Sequence, residues 1–263
     1  MNIAKAIGQP LLNLLLSLTV IVTIWWGMLW VFDVSPIIGK GPDDIIDYLF
    51  FTEDADKHRD VVFGDFWITM ADTFIGFTAG LLVASIVAML FQLFTSLEAA
   101  LMPVAMICRS VPLVAMAPIV VLMFGRDWAA VAAMGTIVVI FPALVTIVSG
   151  LRSAPATMQE VIHVYGGSRS TLLRKVMLPA SLPSFFTATR VSIPGALTGA
   201  LLAEWLATGD GIGYGIVQAV SRTDYDRLWA SVVIVTLASL LLYSCVGVVE
   251  RLVQRRTGIG LAA

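Results

Sequence analysis

The residues whose types and spacing carry most chemistry run from Glu160 to Pro179, EVIHVYGGSRSTLLRKVMLP. Gly166 follows Glu160 by six positions, and ten positions later comes Val176-Met177-Leu178-Pro179. Nothing here pairs a nucleophile with a base. The types suit docking instead. Glu160 is free to meet a basic side chain, and Val161, Ile162, Val164 and Tyr165 form an apolar face that would not be left in water by choice. Helix formers, a break at Gly166-Gly167 and a restart after Ser168 or Ser170 predict a helix–turn–helix. Gly166 lets the chain turn where a side chain would strain it, and Pro179 is expected to stop the second helix. Arg169, Arg174 and Lys175 place the element on the cytoplasmic side of a membrane. An ordinary basic loop obeying the same charge rule would not demand Glu, Gly and Leu-Pro at these intervals.

The rest of the chain has to hold this polar island. Of 263 residues, 59% are hydrophobic and 13% charged, far too apolar for a soluble domain. The expectation is an all-α integral membrane protein. A net charge of -2 argues against nucleic acid. Cys108 and Cys245 lie in apolar runs and read as buried thiols, not as a disulfide framework. His58 and His163 are too few and too far apart for a metal site.

A span needs about 20 mostly apolar residues, and about six stretches qualify: 11–32, 68–94, 99–124, 128–148, 182–207 and 229–249. Trp25, Trp26 and Trp30 mark an interface at the end of the first, which reads as a retained helix and not as a signal peptide. Pro103, Pro112 and Pro118 break the third, Pro142 lies in the fourth, and Pro183 and Pro194 lie in the fifth. Such helices are expected inside the bundle, where neighbours re-satisfy freed carbonyls. Residues 33–65 carry an acidic surplus that fits the outer face, and Pro42 with the apolar Ile45, Ile46, Leu49 and Phe50 suggests a short amphipathic helix on the membrane surface. With both ends inside, Lys5, Arg152, Arg169, Arg174, Lys175, Arg251, Arg255 and Arg256 fall in the cytoplasm, a modest inside bias. The division expected is 1–65, first helix and acidic loop; 66–257, the core; and 258–263, a tail.

From about residue 66 to 257 the chain resembles the permease subunits of the nitrate, sulfonate and taurine branch of ABC importers. Residues 109–125, RSVPLVAMAPIVVLMFG, are similar to that family's Arg-Pro-Ile-Pro-Pro, Ala-Leu-Ala-Pro and Leu-Trp-Phe-Gly run. Phe141-Pro142, Gly150-Leu151-Arg152-Ser153, Gly199 to Glu204 and Gly209 to Gly215 follow in order. The 160–179 block resembles the EAA loop, with Val161 and Ile162 where two alanines are typical. The resemblance implies a type I importer permease fold in the bacterial plasma membrane and a cytoplasmic coupling helix within 155–179. It implies contact with a separate ATPase through Glu160, Val161, Ile162, Tyr165, Gly166, Leu178 and Pro179. It implies a second permease copy or sister permease, an external solute-binding protein, and a small organic anion or vitamin precursor as solute. The chain holds no Gly-x4-Gly-Lys-Ser/Thr pattern, so ATP and Mg belong to the partner ATPase and no cofactor is expected on this chain.

Arg109, Pro112, Arg190 and Glu204 are the candidates for lining the pathway. Charges in a membrane usually face a cavity or a partner. An Arg facing the pathway would attract an anion. Alternatively, Arg109 snorkels, and Arg190 and Glu204 pair with neighbours. Gly209 to Gly215 reads as a compact turn at the outer mouth, and Arg222, Asp224, Asp226 and Arg227 as a solvated surface. An ion-driven secondary transporter is the rival reading, but no internal repeat supports it. An intramembrane enzyme would need a catalytic set, and none is visible.

Overall fold

The computed structural model describes the backbone of residues 3–257 and the side chains of residues 16–255. The side chains of Lys5 and Arg256 and the tail 258–263 lie outside that range. The described residues form helices and no strand. In chain order they are α1 (Ile3–Val31), α2 (Pro42–Ile46, running into a π-helical turn Asp47–Phe51), α3 (Ala55–Leu93), α4 (Thr95–Arg109) and α5 (Leu113–Phe124). Next come α6 (Trp128–Arg152), α7 (Ala156–Val164), α8 (Arg169–Leu172), a π turn Leu173–Met177 and α9 (Leu178–Ala180). Last are α10 (Leu182–Ala203, extended by a π turn Glu204–Thr208), α11 (Gly211–Ser221) and α12 (Tyr225–Thr257).

Among the described residues, four helices are long and apolar enough to cross a membrane: 55–93, 128–152, 182–208 and 225–255. The pair α4–α5 counts as a fifth if it is one bent span. The described apolar part of α1 is Leu16–Val31.

Between apolar helices in lipid the hydrophobic effect gives little drive, so close backbone approach must hold them together. The chain supplies it with glycine. A Cβ on Gly76 of α3 would stand 2.7 Å from the Gly135 Cα of α6, and one on Gly199 of α10 would stand 3.0 Å from the same atom. Around this contact α3 and α6 run in the same direction and α10 runs against them. Towards the end where α3 finishes, Ala84, Ala88, Phe91, Ala143, Ile147, Leu151 and Ala188 close the core.

Several expectations change here. The 99–124 stretch is not a straight proline-weakened helix: α4 and α5 meet at 106°. The break sits only at Pro112, the residue before α5, while Pro103 and Pro118 continue their helices. Pro112 has no N–H and forces Val111 out of the helical region. Nor does this pair lie wholly inside the bundle: α5 buries Ala117 and Val120 against Ala130, Met134 and Ala203, but its other face and α4 stay open. None of the described α4 side chains is buried, and Pro103, Pro112 and Pro118 are exposed. Cys108 and Cys245 are likewise exposed, because apolar sequence in a membrane helix marks the lipid face as well as the core. The Gly209–Gly215 stretch is not merely a turn, since α11 starts at Gly211.

The segment between α1 and α3 packs as a cap on the bundle. Ile45 and Leu49 bury against Val62 and Ala230. Two of the four residues read as a solvated surface instead tie elements together: Arg227 pairs with Asp65 at 2.8 Å and Asp226 with Lys40 at 3.2 Å, while Arg222 is exposed. Burial, with the Asp224 carboxylate beside it, pushes the Tyr48 phenol up to about 12.

Candidate functional site

The island at 155–181 folds as a short antiparallel helical pair at the end of the bundle opposite the cap. Pro155 opens α7 with φ −57° and ψ 131°, and Gln159 Nε2 donates to the Ala154 carbonyl at 2.8 Å. At the other end the Gly167 N–H donates to Ile162 O (2.8 Å) and the Gly166 N–H to His163 O (3.0 Å). This is a Schellman closure, which requires a left-handed residue after the cap. Gly166 provides it at φ +70°, with open space around it. Gly167 is needed for a different reason: a Cβ there would meet Ile162 Cγ2 at 2.5 Å and Ile162 O at 2.9 Å. Ser168 then caps α8, its Oγ accepting from the Thr171 N–H at 3.2 Å.

α7 sorts its apolar residues into two faces. Ile162 turns inward onto Ala154, Leu172 and Val176. Met158, Val161, Val164 and Tyr165 turn outward, and Val164 and Tyr165 are 84% and 87% exposed. Glu160 is also exposed and joins no ion pair among the described residues. Of the sequence candidates, Glu160, Val161 and Tyr165 therefore sit on α7's exposed side, with Gly166 at its closure. Ile162 is a support beneath them, and Leu178 and Pro179 are half-buried where the loop joins α10. Met158 was missed by sequence reasoning; its spacing to Val161 and Tyr165 was the available signal.

Pro179 does not stop the second helix. The chain stays helical through α9 to Ala180, passes one turn residue, Ser181, and enters α10. The π turn before it bonds the Leu178 N–H to Leu173 O, five residues back. That wider turn relieves the clash a proline ring makes in an α-helix. The loop helix is thus mechanically continuous with a membrane helix. Arg169 also donates to Leu93 O at the end of α3 (3.4 Å), and Arg152 pairs with Glu98 of α4.

The four pathway candidates do not converge. Arg109 is exposed at the C-terminal end of α4, and Pro112 is exposed at the bend. Arg190 pairs with Glu250 of α12 at 2.8 Å and lies 5.6 Å from the Tyr243 ring centroid. Its partner is not Glu204. That carboxyl is fully buried and accepts from the Gly213 N–H at 2.7 Å, holding the first turn of α11. Gly211, at φ +78°, leaves it room, since a Cβ there would stand 2.5 Å from Glu204 Cδ. Among the described residues no group of His, Cys, Asp and Glu could hold a metal ion.

Comparison with known proteins gives the family and the fold. Residues 76–259 match the model of the family described as binding-protein-dependent transport system inner membrane component. A probable ABC transporter permease protein of Haemophilus influenzae is 29% identical over 233 residues, 89% of this chain and 93% of that protein. The formylaminopyrimidine transport permease protein ThiX of Halalkalibacterium halodurans is 27% identical over 70% of this chain and 74% of its own length. The putative aliphatic sulfonates transport permease protein SsuC of Bacillus subtilis is 27% identical over 72% of this chain and 69% of its own. Among solved structures, an inward-facing form of the MetNI methionine ABC transporter superposes with a TM-score of 0.59 at 19% identity. The match covers 73% of this chain and 94% of that one, and it shows a shared fold.

Proposed function

We infer the working of this chain from one premise: it belongs to the family of binding-protein-dependent transport system inner membrane components. It is a multi-pass membrane permease subunit of an ABC transporter, with the type I importer fold. Ion-driven secondary transport is not what its relatives do.

The finer reading is that α7 is the coupling helix and docks in a groove of a separate ATPase in the cytoplasm. One observation carries it: Val161, Val164 and Tyr165 stand exposed on a helix outside the apolar spans, with Glu160 beside them. Apolar side chains in that position call for a protein partner. ATP and Mg act on that ATPase. Its closure pushes α7, and the continuous helix from α8 through α9 into α10 carries the displacement into the membrane. The exposed α4–α5 pair faces a second permease copy or a sister permease across the pathway, and an external binding protein delivers the solute. Relatives named for aliphatic sulfonates, bicarbonate and nitrate support a small anion, and one named for formylaminopyrimidine supports a vitamin precursor. Arg109 favours the anion. It is exposed beside the α4–α5 bend, and no ion pair among the described residues neutralises it.

Co-purification tests the docking. A Tyr165→Asp chain should insert normally yet lose its ATPase. Retention of the ATPase at the unaltered level would refute the assignment of α7.

A further inference from the structure

The cap lies mostly outside the family match, which begins at residue 76, and it presents an apolar face that the transport reading does not use. Along α2 and its π turn three kinds of side chain separate by helical spacing. Ile45 and Leu49 point into the bundle and are buried. Asp43 and Asp47, also four residues apart, are exposed and charged. Ile46 and Phe50 form a third row, 50% and 58% exposed, while Phe51, four residues past Asp47, continues the charged row.

The depth of this row is fixed. Lys40–Asp226 and the hydrogen bond from Trp229 Nε1 to Ile38 O (2.8 Å) tie the cap to α12, and Arg59 Nη1 donates to Leu49 O (2.7 Å), tying it to α3. Leu49 and Ile45 pack at the level of Val62, with Trp25 stacked on Trp229 beside them. On α3, exposed Trp67 lies five residues past Val62, about 7 Å along the axis, and half-buried Asp72 is the last charge of the helix. Exposed Trp26 and Trp30 on α1 belong to the same aromatic zone. Tryptophans of this kind mark the membrane–water boundary. The row of Ile46 and Phe50 therefore lies at the level of this aromatic zone, where headgroups meet acyl chains.

We propose that Ile46 and Phe50 are embedded in the lipid interface, making the α2 segment a membrane-surface anchor that holds the cap against the bundle. Apolar burial drives it, not attraction to anionic lipid. The cap's cations Lys40, Lys57 and Arg59 are each already paired, with Asp226, Asp54 and Asp56. A bilayer of zwitterionic lipid alone is sufficient.

Spin-label accessibility tests this on the full chain in phosphatidylcholine nanodiscs, in a background with Cys108→Ser and Cys245→Ser. Nitroxides at Ile46→Cys and Phe50→Cys should collide more with oxygen than with a water-soluble nickel chelate. The ratio should invert at Asp43→Cys and Asp47→Cys. Added phosphatidylglycerol should leave both ratios unchanged. Hydroxyl-radical footprinting of the unaltered chain gives a second reading, in which Phe50 reacts more slowly than Tyr165 when each rate is normalised to that of the free amino acid. Nickel-dominated collisions at positions 46 and 50, or a normalised Phe50 rate as fast as that of Tyr165, overturn the proposal and leave this face to a soluble protein. Because neither readout involves transport, failure here is distinct from failure of the permease assignment.

Discussion

Replacing Arg190 by Gln separates a structural arginine from one that contacts solute. Its guanidinium meets Glu250 at 2.8 Å, and the two side chains are only 27% and 11% exposed. Glu250 keeps one other polar contact, from Gln254 Nε2 at 3.0 Å. Arg190→Gln therefore strands a mostly buried carboxylate. Breaking a fully buried pair costs about 3–5 kcal/mol; the partial exposure of Arg190 puts this case at about 2–3 kcal/mol. For a chain of this size that corresponds to a fall in Tm of about 4–12 °C. Glu250→Gln should cost a similar amount, and the double variant should recover most of the loss, because neither charge is then left alone. Thermal unfolding of the four proteins in one detergent, with uptake measured in parallel, reads the cycle. Unchanged Tm in Arg190→Gln with abolished uptake would refute the structural pairing and return Arg190 to the pathway.

Four further outcomes follow from the same geometry. Arg109→Gln should leave Tm unchanged, because the side chain is exposed, yet lower uptake of an anionic solute; equal uptake would remove Arg109 from the pathway. Gly211→Ala should destabilise the chain by at least about 1–2 kcal/mol from its positive φ alone, with the clash against Glu204 added, and an unchanged Tm would contradict the α11 clip. Gly166→Pro should uncouple ATP hydrolysis from transport while the chain still inserts, since the ring fixes φ near −65° where +70° is needed and removes the N–H that reaches His163 O. Normal transport by that variant counts against coupling through this turn. In the background lacking Cys108 and Cys245, Ser168→Cys should react only from the cytoplasmic side and Glu53→Cys only from outside; the reverse pattern would invert the topology.

Sequence made the helical membrane class and the loop legible because both rest on local signals. Long apolar runs identify spans whatever they touch, and the Gly166 closure follows from backbone chemistry within a few residues. What stayed hidden depends on partners far along the chain. Sequence left Arg190 and Glu204 between lining the pathway and pairing with neighbours, and it could not name the partners, Glu250 sixty residues from Arg190 and the Gly213 N–H across the turn into α11 from Glu204. Hydropathy could not tell an open helix face from the core, so Cys108 and Cys245 were placed inside when they are exposed. Pro179 misled because a proline ends an α-helix but is accommodated after a π turn, and nothing local announces that turn.

The central claim is that this permease works through an ATPase docked at α7. Uptake into proteoliposomes containing the assembled transporter, with ion gradients clamped, tests it most directly. Uptake should follow ATP, stop on its removal, and be lost in Tyr165→Asp although the chain remains inserted. Uptake that persists without ATP and tracks an imposed ion gradient would contradict the account.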